Sequence, residues 1–234
     1  MNAAQSGRQD GARGRGRHLL LLAVSVLVPA LTSAASVSVK VVDGRGKPVS
    51  GTVVELFGVD PAQTDHRYVV DQQQKQFVPH VSVIPSGASV WFPNSDDIRH
   101  HVYSFSPARR FELKLYSGTP ADPVGFPDTG MVALGCNIHD AMVGFIYVTD
   151  APRYQVADNR GRVDFDGVSA SGPVRLAVRH PWRNEQLPVT RSVSRRELET
   201  NTIIEMKIDD LGPDPRNRRA QPDNPFIREN PFAN

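Results

Sequence analysis

Cys136, His139 and Met142 fall within seven consecutive residues, in Gly135-Cys136-Asn137-Ile138-His139-Asp140-Ala141-Met142. A thiolate, a neutral imidazole and a thioether gathered by one tight turn make a soft donor set, which selects copper over harder metals. Cys136 is the only cysteine of the chain, so an intrachain disulfide is excluded, and three roles remain for it: a buried small hydrophobe, a catalytic thiol or a metal ligand. A zinc site would want further cysteines or histidines at this spacing, and methionine is not a zinc donor. What the loop lacks is a second imidazole. The segment 92–103 offers one, because the polar turn Asn94-Ser95-Asp96-Asp97 leads into His100-His101 at the mouth of a strand-like run.

Those residues need strands to hold them. Val-rich and alternating runs at 131–136 and 142–148 enter and leave the Cys-His-Met turn, and 101–105 follows the histidine pair. Neighbouring side chains on a strand point to opposite faces, so only one of His100 and His101 can look toward the loop. Further strand candidates stand at 67–70, 77–84, 88–92, 111–115 and 123–126, separated by turn signals such as Pro85-Ser86-Gly87 and Asp128-Thr129-Gly130. Short strands at this density predict a compact β-sandwich spanning residues 66–149.

At this point the residues resemble the cupredoxins, the type 1 blue copper proteins. The spacing Cys136-x2-His139-x2-Met142 is most similar to amicyanin, and plastocyanin has a longer final gap. Phe77-Val78-Pro79, the Gly87 turn, the 94–100 segment and the Cys-His-Met loop occur in the family's order. The chain also resembles bacterial exported proteins usually labelled as methylamine-utilisation proteins, through Phe-Pro-Asn-Ser-Asp, His-His-Val-Tyr-Ser and Gly-Cys-Asn-Ile-His-Asp. The resemblance implies a Greek-key cupredoxin fold, one type 1 copper per chain, and His100, Cys136, His139 and Met142 as its ligands. It puts His101 where the family often has an asparagine that ties the two ligand loops together. Ile138 and Ala141 depart from the proline and aromatic residues found in relatives. Val102, Phe105, Phe126, Val132, Leu134 and Phe145 are candidates for an apolar shield around the metal.

The flanks look related to each other. Residues 41–56, with the Asp43-Gly44-Arg45-Gly46-Lys47-Pro48 turn, resemble the opening of a transthyretin-like, carboxypeptidase-regulatory sandwich. Residues 158–168, the run at 174–178 and His180-Pro181 resemble its continuation, and a last strand is expected at 202–208. The expected architecture is all-β: a cupredoxin sandwich (66–149) inserted into a second, smaller sandwich made of 36–58 and 153–208. Residues 209–234, rich in Pro, Asn, Asp and Arg and carrying Asn-Pro-Phe twice, read as a disordered tail.

Arg8, Arg13, Arg15 and Arg17 precede the apolar run 19–31, and Thr32-Ser33-Ala34-Ala35 supplies small residues, as in a secretory signal peptide cleaved near Ala35. Thirteen apolar residues are short for a membrane span. Removing 1–35 leaves 23 of 27 basic and 24 of 25 acidic residues, a net charge near −1, so nucleic-acid binding loses its electrostatic basis. The expected function is a periplasmic electron carrier between redox proteins, not an enzyme. A multicopper oxidase would need several His-x-His pairs, and the chain has none. A copper carrier without redox traffic and a structural module with a vestigial site remain the alternatives.

Overall fold

The computed structural model describes residues 35–62, 66–170, 172–183, 187–200 and 203–216. The segment 1–34, with the expected signal peptide, lies outside the described residues. Among those described, no helix is long and apolar enough to cross a membrane.

The chain opens with β1 (Ala35–Val42) and β2 (Val53–Phe57). Ten short strands follow: β3 (Tyr68–Val69), β4 (Asp71–Gln73), β5 (Gln76–Val78), β6 (Val81–Pro85), β7 (Ala88–Trp91), β8 (His100–Ser104), β9 (Phe111–Tyr116), β10 (Val124–Phe126), β11 (Gly130–Gly135) and β12 (Val143–Thr149). The last part holds β13 (Arg153–Val156), β14 (Arg162–Val168), β15 (Val174–Arg179), β16 (Val189–Val193), the single-turn helix α1 (Arg195–Glu199) and β17 (Ile204–Lys207).

Two sandwiches result. In the first, the five-stranded sheet β6-β12-β11-β8-β9 faces the three-stranded sheet β10-β7-β3 across one core that includes Phe77, Ile84, Phe92, Val102, Phe126, Val132, Leu134 and Ile146. In the second, β14-β1-β17 faces β13-β2-β15-β16, with Val39, Val54, Leu56, Phe165, Leu176 and Ile208 between them. Among the described residues, both strands that precede residue 66 pair only with strands that follow residue 152: β1 with β14 and β17, and β2 with β13 and β15. The entering and leaving segments run side by side, with the Ala62 N–H donating to the Pro152 carbonyl at 3.2 Å and Arg153 paired with Asp60 at 2.9 Å.

The sandwiches share a contact layer. Val81 on β6, Phe145 and Tyr147 on β12 and Val53 on β2 form a third buried cluster, joined by Trp182 and Val156. This explains why β12 is buried almost without alternation: one face looks into its own sandwich and the other onto the neighbour, and a strand covered on both sides reads as a continuous apolar run. Glu55, 2% exposed, lies in the same layer. It accepts hydrogen bonds from Thr149 Oγ1 on β12 at 2.5 Å and Arg179 Nε on β15 at 2.8 Å, which satisfies a carboxylate that burial alone would penalise heavily.

Several expectations change. The run 77–84 is two strands, because Pro79 has no N–H for a ladder and the chain turns through His80 between β5 and β6. β4, β13, β16 and α1 add to the expected elements. The helix has a signal in the sequence, since Ser194 and Glu197 form a capping box. Residues 209–216 are not free tail: Gly212 N–H donates to the Trp182 carbonyl at 2.6 Å, and Leu211 bridges Arg183. Residues 217–234, including both Asn-Pro-Phe triplets, lie outside the described residues.

Candidate metal centre

β11 and β12 pair from Gly130–Val148 to Gly135–Val143, so the residues between them must form a closed loop at one end of the sandwich. Cys136 leaves β11 with its side chain in the core, 3% exposed. The loop then turns, and Met142 N–H donates to the His139 carbonyl at 2.9 Å. Met142 returns to the apolar cluster that holds Cys136 and is 1% exposed. His139 is half-buried beside the exposed Ile138, Asp140 and Ala141.

His100 begins β8 on the core face, wholly buried. Its Nδ1 lies 3.9 Å from Cys136 Sγ, and His139 Nδ1 lies 4.0 Å from the same sulfur. The two imidazoles sit edge to face, with centroids 5.0 Å apart. The Sγ and the two ring nitrogens all fall within 4.8 Å of one another. At ligand distances of about 2.3 Å to sulfur and 2.0 Å to nitrogen, one ion can reach the sulfur and either nitrogen across these gaps. Burial, and then the neighbouring His100 and Lys75, push the His139 imidazole below its ordinary range, which keeps it neutral and its lone pair free to ligate.

His101 faces the other way. Its Nε2 lies 2.9 Å from Glu112 Oε1, and its ring packs on Tyr103, 5.5 Å between centroids, on the outer face of the sheet. His101, at the place where the resemblance has an asparagine that ties the two ligand loops together, instead points by strand alternation to Glu112 on β9. Asn94, 5% exposed, organises the first loop instead. Its Nδ2 donates to the Ile98 and Tyr116 carbonyls, both at 2.9 Å, and its Oδ1 accepts the Asp96 N–H at 3.1 Å.

Of the expected shield, Val102, Phe126, Val132 and Leu134 share the cluster of Cys136 and Met142. Phe145 does not; it points from the opposite face of β12 into the layer between sandwiches. Phe105 also lies elsewhere, packed on Tyr103 at 5.1 Å. Both follow from the alternation of strand side chains. Sequence reasoning gave no role to Asp96, which contacts His100 Nε2 at 2.7 Å, nor to Gly135, against which the Tyr103 ring rests. The first had a signal, an acid four residues before a histidine in a polar turn; the second had none.

No family model and no curated protein matches the sequence. Solved structures match part of it. The purple cupredoxin of Nitrosopumilus maritimus is 19% identical over 36% of this chain and all of that one, with a TM-score of 0.32. An oxidised amicyanin variant is 14% identical over 41% of this chain and 99% of that one, with a TM-score of 0.32. The copper-containing nitrite reductase of Thermus scotoductus is 22% identical over 39% of this chain, with a TM-score of 0.34, and this chain spans only 25% of it. The fold class stands on the strand pairing and cores above: an all-β chain of a cupredoxin-like sandwich and a second β-sandwich.

Proposed function

We propose that this chain is an exported, periplasmic protein that holds one type 1 copper and passes single electrons between protein partners, without being an enzyme. The observation that carries the reading is the approach of two imidazole Nδ1 atoms, one from each loop, to a single buried thiol at 3.9 and 4.0 Å. In this reading His100, Cys136 and His139 form the ligand plane and Met142 is a weak axial donor. Bound copper would exchange one electron between its two oxidation states in a donor set that suits both. The residues around it exclude water, since Val102, Phe126, Val132 and Leu134 pack with Cys136 and Met142. His139 alone of the four reaches partway to the surface, next to Ile138, which is 49% exposed; it is the point of closest approach for a redox partner. Full burial of His100 and Cys136 favours a retained metal over one that is handed on, which distinguishes this reading from a copper carrier.

The test is to load the purified chain with Cu(II) and record its visible spectrum. An intense thiolate-to-copper band lost in Cys136→Ser supports the proposal. A colourless protein that holds zinc in preference to copper refutes it.

A further inference from the structure

The back of His100 is held by an acid. While Nδ1 faces Cys136, Nε2 lies 2.7 Å from Asp96 Oδ2, and the Asp96 side chain is only 13% exposed. Asp96 also accepts the backbone N–H of Gln74 on Oδ1 at 2.6 Å and that of Lys75 on Oδ2 at 2.9 Å.

Gln74 and Lys75 are the two central residues of the β4–β5 hairpin, at φ of 52° and 60°. Such a turn normally calls for Asn-Gly or similar. Two consecutive long side chains in the left-handed region persist only where the surroundings enforce them, and the Asp96 carboxylate is one such enforcement. The hairpin returns the clamp, since Asp71 on β4 accepts Ser95 Oγ at 2.8 Å and the Ser95 N–H at 3.2 Å. Beyond β5 the same chain reaches the other ligand loop: His80 Nδ1 lies 2.9 Å from the Val143 carbonyl, one residue past Met142, and the Phe145 N–H donates to the His80 carbonyl at 2.8 Å. The hairpin and the His80 segment that follows it thus brace the two loops.

We propose that Asp96 is the positioning residue of the site, fixing His100 as the Nε2–H tautomer with its Nδ1 lone pair toward Cys136 and favouring, through its negative charge, the more highly charged copper state. The redox half of this rests on the copper reading; the tautomer half does not. Removal of such an outer carboxylate typically lowers metal affinity about 10–100-fold.

The experiment compares wild type, Asp96→Asn and Asp71→Asn. In the metal-free chain, nitrogen-15 NMR should find His100 of the wild type and of Asp71→Asn as the Nε2–H tautomer, and a tautomer mixture in Asp96→Asn. A wild-type His100 protonated on Nδ1 instead overturns the proposal, whether or not any variant folds. In the copper-loaded chain, Asp96→Asn should lose Cu(II) affinity more than Cu(I) affinity, each tenfold of difference raising the reduction potential by about 59 mV. Asp71→Asn, which loosens the same hairpin without touching His100, should leave the potential near wild type. Equal potentials in the two variants would mean a merely structural clamp and defeat the assignment. If the wild type binds no copper, the copper reading fails while the NMR comparison still decides the role of Asp96.

Discussion

Replacing Gly135 by alanine is expected to destabilise the chain by about 1–3 kcal/mol, the usual range for overpacking a filled site. Gly135 is an ordinary strand residue of β11, paired with Tyr103 on one side and Val143 on the other, so nothing in its backbone calls for glycine. The reason is steric. A Cβ there would stand 2.6 Å from Tyr103 Cζ, 2.7 Å from Oη and 3.0 Å from Cε2, where ordinary contact begins at 3.4 Å. The phenol must therefore retreat by about 0.8 Å or β11 must bend, and either movement disturbs the packing around it. Retreat is resisted because Tyr103 is packed between His101 and Phe105, at 5.5 and 5.1 Å between centroids. Bending β11 would carry Cys136, the next residue. Urea unfolding of wild type, Gly135→Ala, Tyr103→Ala and the double variant measures the coupling, which for touching residues is about 0.5–3 kcal/mol. The alanine should be nearly silent once Tyr103 is truncated. A cost under about 0.5 kcal/mol in the wild-type background, or two variants whose effects simply add, would refute the steric account.

Two other outcomes are expected. His101→Asn should leave the copper spectrum in place while His100→Ala abolishes it, because only His100 faces Cys136; loss of the band in His101→Asn would reverse the ligand assignment. The pH dependence of stability should carry the mark of His80. Burial, and then Arg216, push it down to about 4 from an ordinary 6.5, against the opposing influence of Asp214. Between those values the unfolded chain holds the proton and the folded chain does not. Stability therefore falls as pH drops from about 6.5 to about 4, by up to about 3 kcal/mol, and this contribution levels off below. Burial of His180 acts in the same direction. Urea unfolding of the metal-free chain across that window should give a shallower slope in His80→Phe, and an unchanged slope would exclude His80 as the cause.

The Cys136, His139 and Met142 donors were legible because they sit in one turn, where spacing alone brings side chains together. Most strands were legible for a similar reason: their alternation and turn residues are local. The pairing of residues before 66 with those after 152 also left a trace, in the repeated Asp-Gly and Asp-Asn turn patterns at 43–48 and 158–162. What tertiary structure alone decided is direction. Adjacent residues such as His100 and His101 are equivalent in sequence until the sheet acquires a core side, and packing of Val102 into that core sends His100 to Cys136 and His101 to Glu112. The same holds for Phe145, apolar on a strand whose two faces are both buried, one by its own sandwich and one by its neighbour. Asp96 and Gly135 acquired their roles only through residues distant in the chain, Gln74 and Lys75 for one and Tyr103 for the other. Contacts between segments far apart in the chain depend on which strands pair and how their faces pack, and a local pattern of residues names neither partner.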